Sequence, residues 1–254
     1  MSRSTVHWLE GESMPEGCTI LEAVPGIGNV GKIVIDGLVK KHPSRTLGWI
    51  IHPDFPPHAN LDEEGLIRPP RLELKSILIP NGETLVGITG LMQPMTAAGQ
   101  FEVSESILEL ASKSSAPRLL VLAGLASGPE DRSIHVICAN ARFRSELEAS
   151  DIIVSREQPN SGMIGIAGMV LSLSSLKGVN AAGIIAETVG TSCDVMAADR
   201  MAKWIEQAFD IPLDLDLDTT ERTAARLMKE IDPMGTIENI LGEEEAEVST
   251  DFYV

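Results

Sequence analysis

A strand, a tight turn and a helix are predicted in succession by residues 18–41, which read CTILEAVPGIGNVGKIVIDGLVKK. The apolar run Cys18–Val24 predicts a strand that ends at Pro25-Gly26. A helix should follow over residues 28–41 and end before Pro43, because proline cannot continue the hydrogen-bond ladder. Its predicted apolar face carries Val30, Ile33, Val34 and Leu38. A strand–turn–helix unit of this kind is typical of α/β folds.

Further strands and helices alternate along the chain. Asn81-Gly82 lies between two apolar runs, 72–79 and 83–89, and this is the strongest short-range signal for a hairpin. Residues 162–176 are apolar nearly all round, which predicts a buried helix. The other predicted elements are strands at 47–51, 118–123, 134–139 and 179–186, an exposed loop at 52–70, and helices near 103–110, at 194–209 and from about residue 218. We therefore predict one three-layer α/β domain with a mixed sheet over residues 1–241, followed by a tail over 242–254.

Charge and composition narrow the classes of function. The net charge is −17, so the surface should repel nucleic-acid backbones and anionic lipid. No apolar run is long enough to cross a bilayer, and the first residues lack the apolar core of a signal peptide. The three cysteines, Cys18, Cys138 and Cys193, form no C-x-x-C pair, which argues against a zinc site or a redox dithiol. These features favour a cytoplasmic protein with no bound metal.

The glycine turn allows two interpretations. Residues 26–31 satisfy G-x-G-x-x-G after a strand and before a helix, and Asp54 follows at a spacing suited to an acid that binds ribose. The same residues with Lys32 fit G-x-x-x-x-G-K, but Ile33 stands where Ser or Thr should hold magnesium. Glycines at such a turn also serve backbone geometry and helix–sheet packing alone. A nucleotide-binding enzyme that uses Gly26–Gly31 therefore remains the alternative hypothesis.

Side chains for acid–base or nucleophilic chemistry are scattered. The five histidines include no zinc-binding spacing, and no G-x-S-x-G motif is present. Glu187 follows a predicted buried strand, at a position where α/β sheets often bind ligands. A lone carboxylate there more often accepts backbone N–H groups from the next loop, and this is the contact that we expect. We assign no catalytic, metal-binding or cofactor-binding residue, and we predict no enzymatic activity.

The last thirteen residues have a different composition. Residues 242–251 hold five acids and no base, so self-repulsion should keep this segment disordered. It ends in Phe252-Tyr253-Val254, and Tyr253 is the only tyrosine of the chain. The terminal carboxylate could pair with a lysine while the tyrosine ring fills a cleft in a partner. From residue 241 the tail would reach about 45 Å when extended and about 20 Å as a coil.

Four segments together resemble the proteasome assembly chaperone family, particularly its archaeal members. They are Pro25–Gly31, Gln93-Pro94, Ser161–Gly168 and Ala186–Gly190, and they occur in the order of the family between about residues 12 and 232. The fourth segment ends in Val189-Gly190 where relatives often have Pro-Gly. The resemblance implies a phosphorylase/hydrolase-like α/β domain without established enzymatic activity or cofactor.

The resemblance also implies a partner. Members of the family form homo-oligomers that bind the α-ring of the proteasome core particle. Some archaeal relatives carry a C-terminal hydrophobic-Tyr-any motif, which docks between α-subunits, and Phe252, Tyr253 and Val254 match it position by position. These three residues are the predicted partner-binding site. The sequence does not decide whether the protein acts as an assembly factor or as an activator that opens the gate of the core particle.

Overall fold

Ten strands and five helices make up the computed structural model, which describes residues 3–62, 65–157, 162–190 and 192–217. The strands are β1 Thr5–Trp8, β2 Thr19–Ala23, β3 Ser44–Ile51, β4 Asn60–Leu61, β5 Ile67–Arg68, β6 Leu72–Leu78, β7 Thr84–Gly90, β8 Leu119–Ala126, β9 Ile134–Cys138 and β10 Ala181–Thr188. The helices are α1 Val30–Lys41, α2 Ala97–Lys113, α3 Ala141–Ala149, α4 Gly165–Ser174 and α5 Val195–Phe209.

Eight strands form one mixed sheet in the order β1-β3-β6-β7-β2-β8-β10-β9. The four central strands β7, β2, β8 and β10 run parallel. Antiparallel strands flank them, with β6, β3 and β1 on one side and β9 on the other. Every residue of β2 is buried, as expected for a strand covered on both faces.

Helices cover both faces of the sheet. Buried side chains of α1, α3 and α5 pack on one face in a single apolar cluster. Those of α2 and α4 pack on the other face. Successive residues of a strand point to opposite faces, so Leu21 joins the first cluster and Ile20 the second. The predicted three-layer α/β domain with a mixed sheet is therefore confirmed.

The strongest sequence signals are confirmed element by element. The strand–turn–helix unit appears as β2, a 3-10 turn at Ile27–Asn29 and α1. The Asn81-Gly82 signal yields the antiparallel pair β6 and β7. Helix α5 buries the predicted face, which consists of Ala198, Met201, Ala202, Ile205 and Phe209.

Several predictions differ from the structure. The loop predicted over residues 52–70 contains β4 and β5, and it buries His52 and Phe55. The helix predicted over 162–176 covers only Gly165–Ser174, and Leu176 beyond it is exposed. Strand β1 and helix α3 were not predicted. The helix expected from about residue 218 and the tail over 242–254 lie outside the described residues.

His52 can be buried because both nitrogens of its ring have hydrogen-bond partners. Its Nδ1 accepts a hydrogen bond from the backbone N–H of Asp54 at 3.0 Å, so Nε2 carries the ring proton. That nitrogen lies 3.1 Å from Oε2 of Glu102 on α2. A buried polar ring is tolerated when both of its nitrogens have partners, and here the partners tie the end of β3 to α2.

Candidate functional site

The glycine turn lies at the carboxyl end of β2, where open parallel sheets commonly bind ligands. Here the backbone of the chain fills that position. A Cβ placed on Gly31 would lie 2.4 Å from the carbonyl oxygen of Leu122 in β8. Gly28 has φ +65°, and its Cβ would lie 2.7 Å from Oγ1 of Thr188. Both glycines are therefore needed for close packing of the turn and α1 against the sheet.

The space beneath the turn is small. A cavity of about 10 Å³ lies between Gly26, Asn29, Leu122 and Gly124. That volume is about what one water molecule requires, so this cavity cannot hold a nucleotide. The geometry supports the packing interpretation of Gly26–Gly31 over nucleotide binding.

Asp54 lies far from the glycine turn, which contradicts its hypothetical role in binding ribose. It follows β3, and two strands, β6 and β7, separate β3 from β2 in the sheet. At about 4.8 Å per strand, β3 lies roughly 14 Å from β2. Asp54 instead makes an ion pair with Arg3 at 3.0 Å, and it accepts a hydrogen bond from Thr96. These partners lower the pKa of its carboxyl group, with the Thr96 hydroxyl as the main favourable cause.

The segments that carry the family resemblance meet at this edge of the sheet. Gln93 joins three of them through its side-chain amide. Its Nε2 donates to the carbonyl oxygen of Pro25 at 2.8 Å, and its Oε1 accepts from the backbone N–H of Ile166 at 3.1 Å. A single residue thus joins the loop after β7, the glycine turn and the first turn of α4.

The fourth segment, Ala186–Gly190, is joined to the glycine turn through Thr188 and Asp194. Oγ1 of Thr188 donates to Oδ2 of Asp194 at 2.6 Å, and the other carboxylate oxygen caps α5 by accepting from the N–H of Ala197 at 2.9 Å. The N–H of Asp194 donates to the carbonyl oxygen of Gly28 at 2.8 Å. The side chain of Asn29 donates to the carbonyl oxygen of Ser192 at 2.7 Å. These polar groups of Thr188, Asp194 and Asn29 are therefore engaged with other parts of the same chain.

Glu187 accepts a backbone N–H group, as predicted, but from a loop much earlier in the chain, whereas the prediction named the next loop. Its Oε2 accepts from the backbone N–H of Ser133 at 2.7 Å, in the loop before β9. Its Oε1 lies 3.1 Å from Nε2 of His135. The carboxylate holds the edge strand β9 beside β10, and the pair is a structural one in this arrangement.

Glu22 is a functional candidate that the sequence analysis missed. It is fully buried in the central strand β2, and neither carboxylate oxygen has a hydrogen-bond partner among the residues that the structure describes. Burial alone raises the pKa of Glu22 to about 8, because a low-dielectric interior disfavours the charged form. The sequence signal that could have revealed this buried carboxyl group is a single acid inside the mainly apolar run Thr19–Val24.

The predicted partner-binding residues Phe252, Tyr253 and Val254 lie outside the described residues. Among those that are described, no group of three His, Cys, Asp or Glu side chains could hold a metal ion. Within the same part of the chain, no helix is both long and apolar enough to cross a membrane. Burial raises the pKa of Cys18 and Cys193 to about 11, so these thiols stay protonated and unreactive at neutral pH.

The fold and the packing at the carboxyl edge of the central strands define a class of protein. It is a three-layer α/β protein whose glycine turn packs against its own sheet. The model of the PAC2 family matches residues 20–234, and the chain belongs to this family. An uncharacterized protein of Methanocaldococcus jannaschii, MJ1210, is 25% identical over 185 residues, which are 72% of this chain and 70% of that protein.

Two solved structures from Pyrococcus furiosus resemble the whole fold. PbaA, an archaeal homologue of proteasome-assembly chaperone, has a TM-score of 0.71 at 18% identity, covering 96% of this chain and 100% of its own. PbaB, an archaeal proteasome activator, has a TM-score of 0.69 at 19% identity, with coverage of 97% and 100%. The resemblance to the proteasome assembly chaperone family is thereby confirmed.

Proposed function

We propose that this protein is a cytoplasmic proteasome chaperone or activator, which docks on the α-ring of the core particle through Phe252-Tyr253-Val254. The observation that carries the proposal is this terminal tripeptide on a chain that belongs to the PAC2 family. The similarity to PbaA and PbaB extends over nearly the whole chain, so it includes every layer of the domain.

The chemistry of the tripeptide suits a basic pocket. The carboxylate of Val254 would pair with a lysine, the ring of Tyr253 would fill a cleft, and its hydroxyl would donate to a backbone carbonyl. Three residues bury little area, so one tail alone should bind with a dissociation constant of about 1 mM. Several tails on one homo-oligomer would strengthen binding on the order of a hundredfold.

A docking role without catalysis agrees with the packing at the carboxyl edge of the sheet. The position that α/β enzymes use for ligands is filled by the glycine turn and by the side chains of Gln93, Thr188 and Asp194. Recognition would then depend on surfaces and on the chain terminus, with no cofactor required.

Co-purification with purified core particles tests the proposal. The full chain should bind, whereas Tyr253→Ala and a chain lacking residues 252–254 should lose at least tenfold in affinity. Thr250→Ala is a matched control, because it changes the same segment and leaves the tripeptide intact. Intact mass should first establish that Val254 carries the free carboxylate. Equal binding by the truncated chain would refute the docking site.

Peptide hydrolysis by the same core particles separates the two roles. An activator that opens the gate should increase the hydrolysis rate several-fold, and Tyr253→Ala should abolish the increase. An assembly factor should instead raise the yield of complete particles from isolated subunits without changing the rate per particle. Neither effect with wild-type protein would contradict both roles.

A further inference from the structure

The side chain of Glu22 faces the layer formed by helices α2 and α4. Its neighbours along β2, Leu21 and Ala23, belong to the apolar cluster on the α1 side, and successive residues of a strand point to opposite faces. The residues beside it in β7 and β8, Ile88 and Val121, belong to the cluster under α2 and α4. The carboxyl group is therefore placed between the centre of the sheet and these two helices.

The surroundings of this carboxyl group are almost entirely apolar. Glu22 has no exposed surface, and its two carboxylate oxygens have no hydrogen-bond partner in the described part of the chain. The side chains that α2 and α4 bury are apolar apart from Ser104 and Ser174, whose hydroxyls donate to backbone carbonyl oxygens. A carboxylate without compensation is strongly disfavoured in such a place, so the group stays neutral while both helices cover it.

The elements around Glu22 supply no compensating charge. Strands β7 and β8 and helix α4 contain no charged residue. The charged side chains of α2 are all at least partly exposed and paired with other charged groups, and they are Glu102, Glu105, Glu109 and Lys113. On this side of the sheet, the other buried titratable groups among the described residues are Cys18 and His52, and His52 bonds to Glu102.

Helix α4 is attached less firmly than α2. It has ten residues, and its N-cap residue, Ile164, makes no side-chain capping bond. Its first turn bonds to Gln93 and, at 3.5 Å, to the hydroxyl of Ser104. Helix α2 has seventeen residues, Thr96 caps it, and its Glu102 bonds to the end of β3. Strand β2 is paired on both sides, so α4 is the element that can move away from Glu22 while the sheet stays intact.

Glycines with left-handed backbone conformation flank α4. Gly165, its first residue, has φ +79°, and Gly178, after the 3-10 turn Ser175–Lys177, has φ +67°. A few residues at the ends of an element commonly absorb the change in backbone angles when that element swings as a unit. These two glycines are therefore suitable hinges for α4.

The small cavity beneath the glycine turn lies next to Glu22 in the same layer. Its lining includes Val24, Ala123 and Ala167. Val24 follows Glu22 by two residues on the same face of β2, and Ala123 has the same relation to Val121, the neighbour of Glu22 in β8. Ala167 belongs to α4, so movement of this helix would widen the cavity toward the carboxyl group and admit water.

We propose that Glu22 is a proton-controlled latch on α4. While its carboxyl group is neutral the helix stays closed on the sheet, and loss of the proton accompanies a swing of the helix about Gly165 and Gly178. The motion would uncover an apolar groove between α4 and the strands β2 and β8. This inference does not depend on docking through the C-terminal tripeptide.

Proton linkage gives the direction of the effect. The ordinary pKa of the glutamate side chain is 4.5, which applies when water reaches it, and burial raises the pKa of Glu22 to about 8 in the closed form. The open form therefore binds fewer protons between these two pH values, and its population rises about tenfold for each pH unit. Below pH 4.5 both forms are protonated and above pH 8 both are ionised, so the population is constant outside this window.

Hydrogen exchange of backbone amides, measured on the full chain from pH 5 to pH 8, tests the inference. After correction for the intrinsic exchange rate, amides of α4 should be less protected than those of β8, and their protection should fall about tenfold for each pH unit. Glu22→Gln keeps the shape of the side chain and cannot ionise, so it should make the protection of α4 independent of pH. Glu109→Gln is the matched control, because Glu109 is exposed on α2, and it should behave like wild type.

Glu22→Leu is a second variant that leaves no polar group in the layer. It should also remove the pH dependence, and at pH 8 it should protect α4 more strongly than wild type does. Circular dichroism should show that the variants keep the fold. Equal protection of α4 and β8 in wild type would overturn the inference, because exchange would then require global unfolding. Protection of α4 that is constant with pH in wild type, or a pH dependence that persists in both Glu22 variants, would overturn it as well.

Discussion

The carboxyl edge of the central strands and the β4–β5 hairpin differ in what they offer to another molecule. At the edge, backbone atoms of Gly28 and Gly31 come so close to Thr188 and Leu122 that a single methyl group has no room. In the hairpin, a Cβ on Gly65 would meet no atom of the described residues within 4 Å, and the neighbouring aliphatic side chains face solvent. One region is closed by its own chain and the other is open.

This difference separates the sequence pattern of the glycine turn from its role in the structure. The edge has the glycine pattern of a nucleotide site, but its polar groups serve to hold four segments of the chain together. The hairpin face that carries Leu61 and Ile67, in contrast, is largely exposed to solvent. The contrast predicts that substitutions at the closed region lower the stability of the fold, while those at the open region leave it nearly unchanged.

The largest expected effect concerns Glu22, beside the closed region. Its carboxyl group is protonated in both states below pH 4.5, whereas between pH 4.5 and 8 only the folded state keeps the proton. Stability contributed by this group therefore falls as pH rises through that window, by roughly 5 kcal/mol, because each pKa unit corresponds to about 1.36 kcal/mol. Above pH 8 both states are ionised and the loss is complete.

Glu22→Gln removes this titration while keeping the shape of the side chain. Urea unfolding at several pH values should show that the free energy of unfolding of the variant rises relative to that of wild type from pH 4.5 to pH 8. Glu109→Gln is a suitable control, because Glu109 lies on the exposed face of α2. A constant difference between Glu22→Gln and wild type across the window would show that the carboxyl group titrates normally.

Gly31→Ala should have the next largest effect. The added methyl group would meet the carbonyl of Leu122 in the central sheet, which cannot move without breaking strand pairing. We expect a loss of about 3 kcal/mol or more in the free energy of unfolding.

Gly65→Ala in the hairpin provides the comparison for that variant. It should cost only about 1 kcal/mol, since its φ of +75° is mildly unfavourable for alanine and, within the described part of the chain, nothing lies within 4 Å of the methyl position. Equal costs measured by urea unfolding would mean that the two regions are packed alike.

Gln93→Ala should destabilise the protein by about 2 kcal/mol, because the carbonyl of Pro25 and the N–H of Ile166 lose their shared partner. Gln100→Ala removes one amide hydrogen bond, to the carbonyl of Pro94 at 3.1 Å, and should cost less. Thermal unfolding of both variants checks the order. The opposite order would indicate that Gln93 does not bind the segments together.

The smallest effect on stability is expected for Leu61→Ser with Ile67→Ser. Both side chains are largely in water already, so unfolding of the monomer at low concentration should change by no more than about 0.5 kcal/mol. A loss above 2 kcal/mol would show that the hairpin face packs against its own domain.

Elements with strong local signals were predictable from the sequence. The Asn81-Gly82 hairpin and α5 follow from turn chemistry and helical periodicity, which depend on neighbours in the chain. Helix α3 was missed because it buries only Phe143 and Leu147, so its apolar stripe is thin. The hairpin β4–β5 was missed because strands of two residues leave no alternation to detect.

The contacts of the candidate site could not be predicted from the spacing of residues along the chain. Asp54 stands at a suitable distance along the chain from Gly31, yet the sheet order places two strands between β3 and β2. The contacts of Gln93 with Pro25 and Ile166 likewise span 68 and 73 residues. For Glu187 the sequence predicted the kind of contact, a carboxylate that accepts a backbone N–H group, but not the loop that donates it.

The contact between Gly31 and Leu122 also limits how the domain can move. Besides its apolar side chains, helix α1 approaches β8 through main-chain atoms of Gly31, and main-chain atoms cannot re-pack as the helix slides. Opening of α1 should therefore require separation of the central strands themselves. Its amide hydrogens should exchange with solvent as slowly as those of β8, through global unfolding alone.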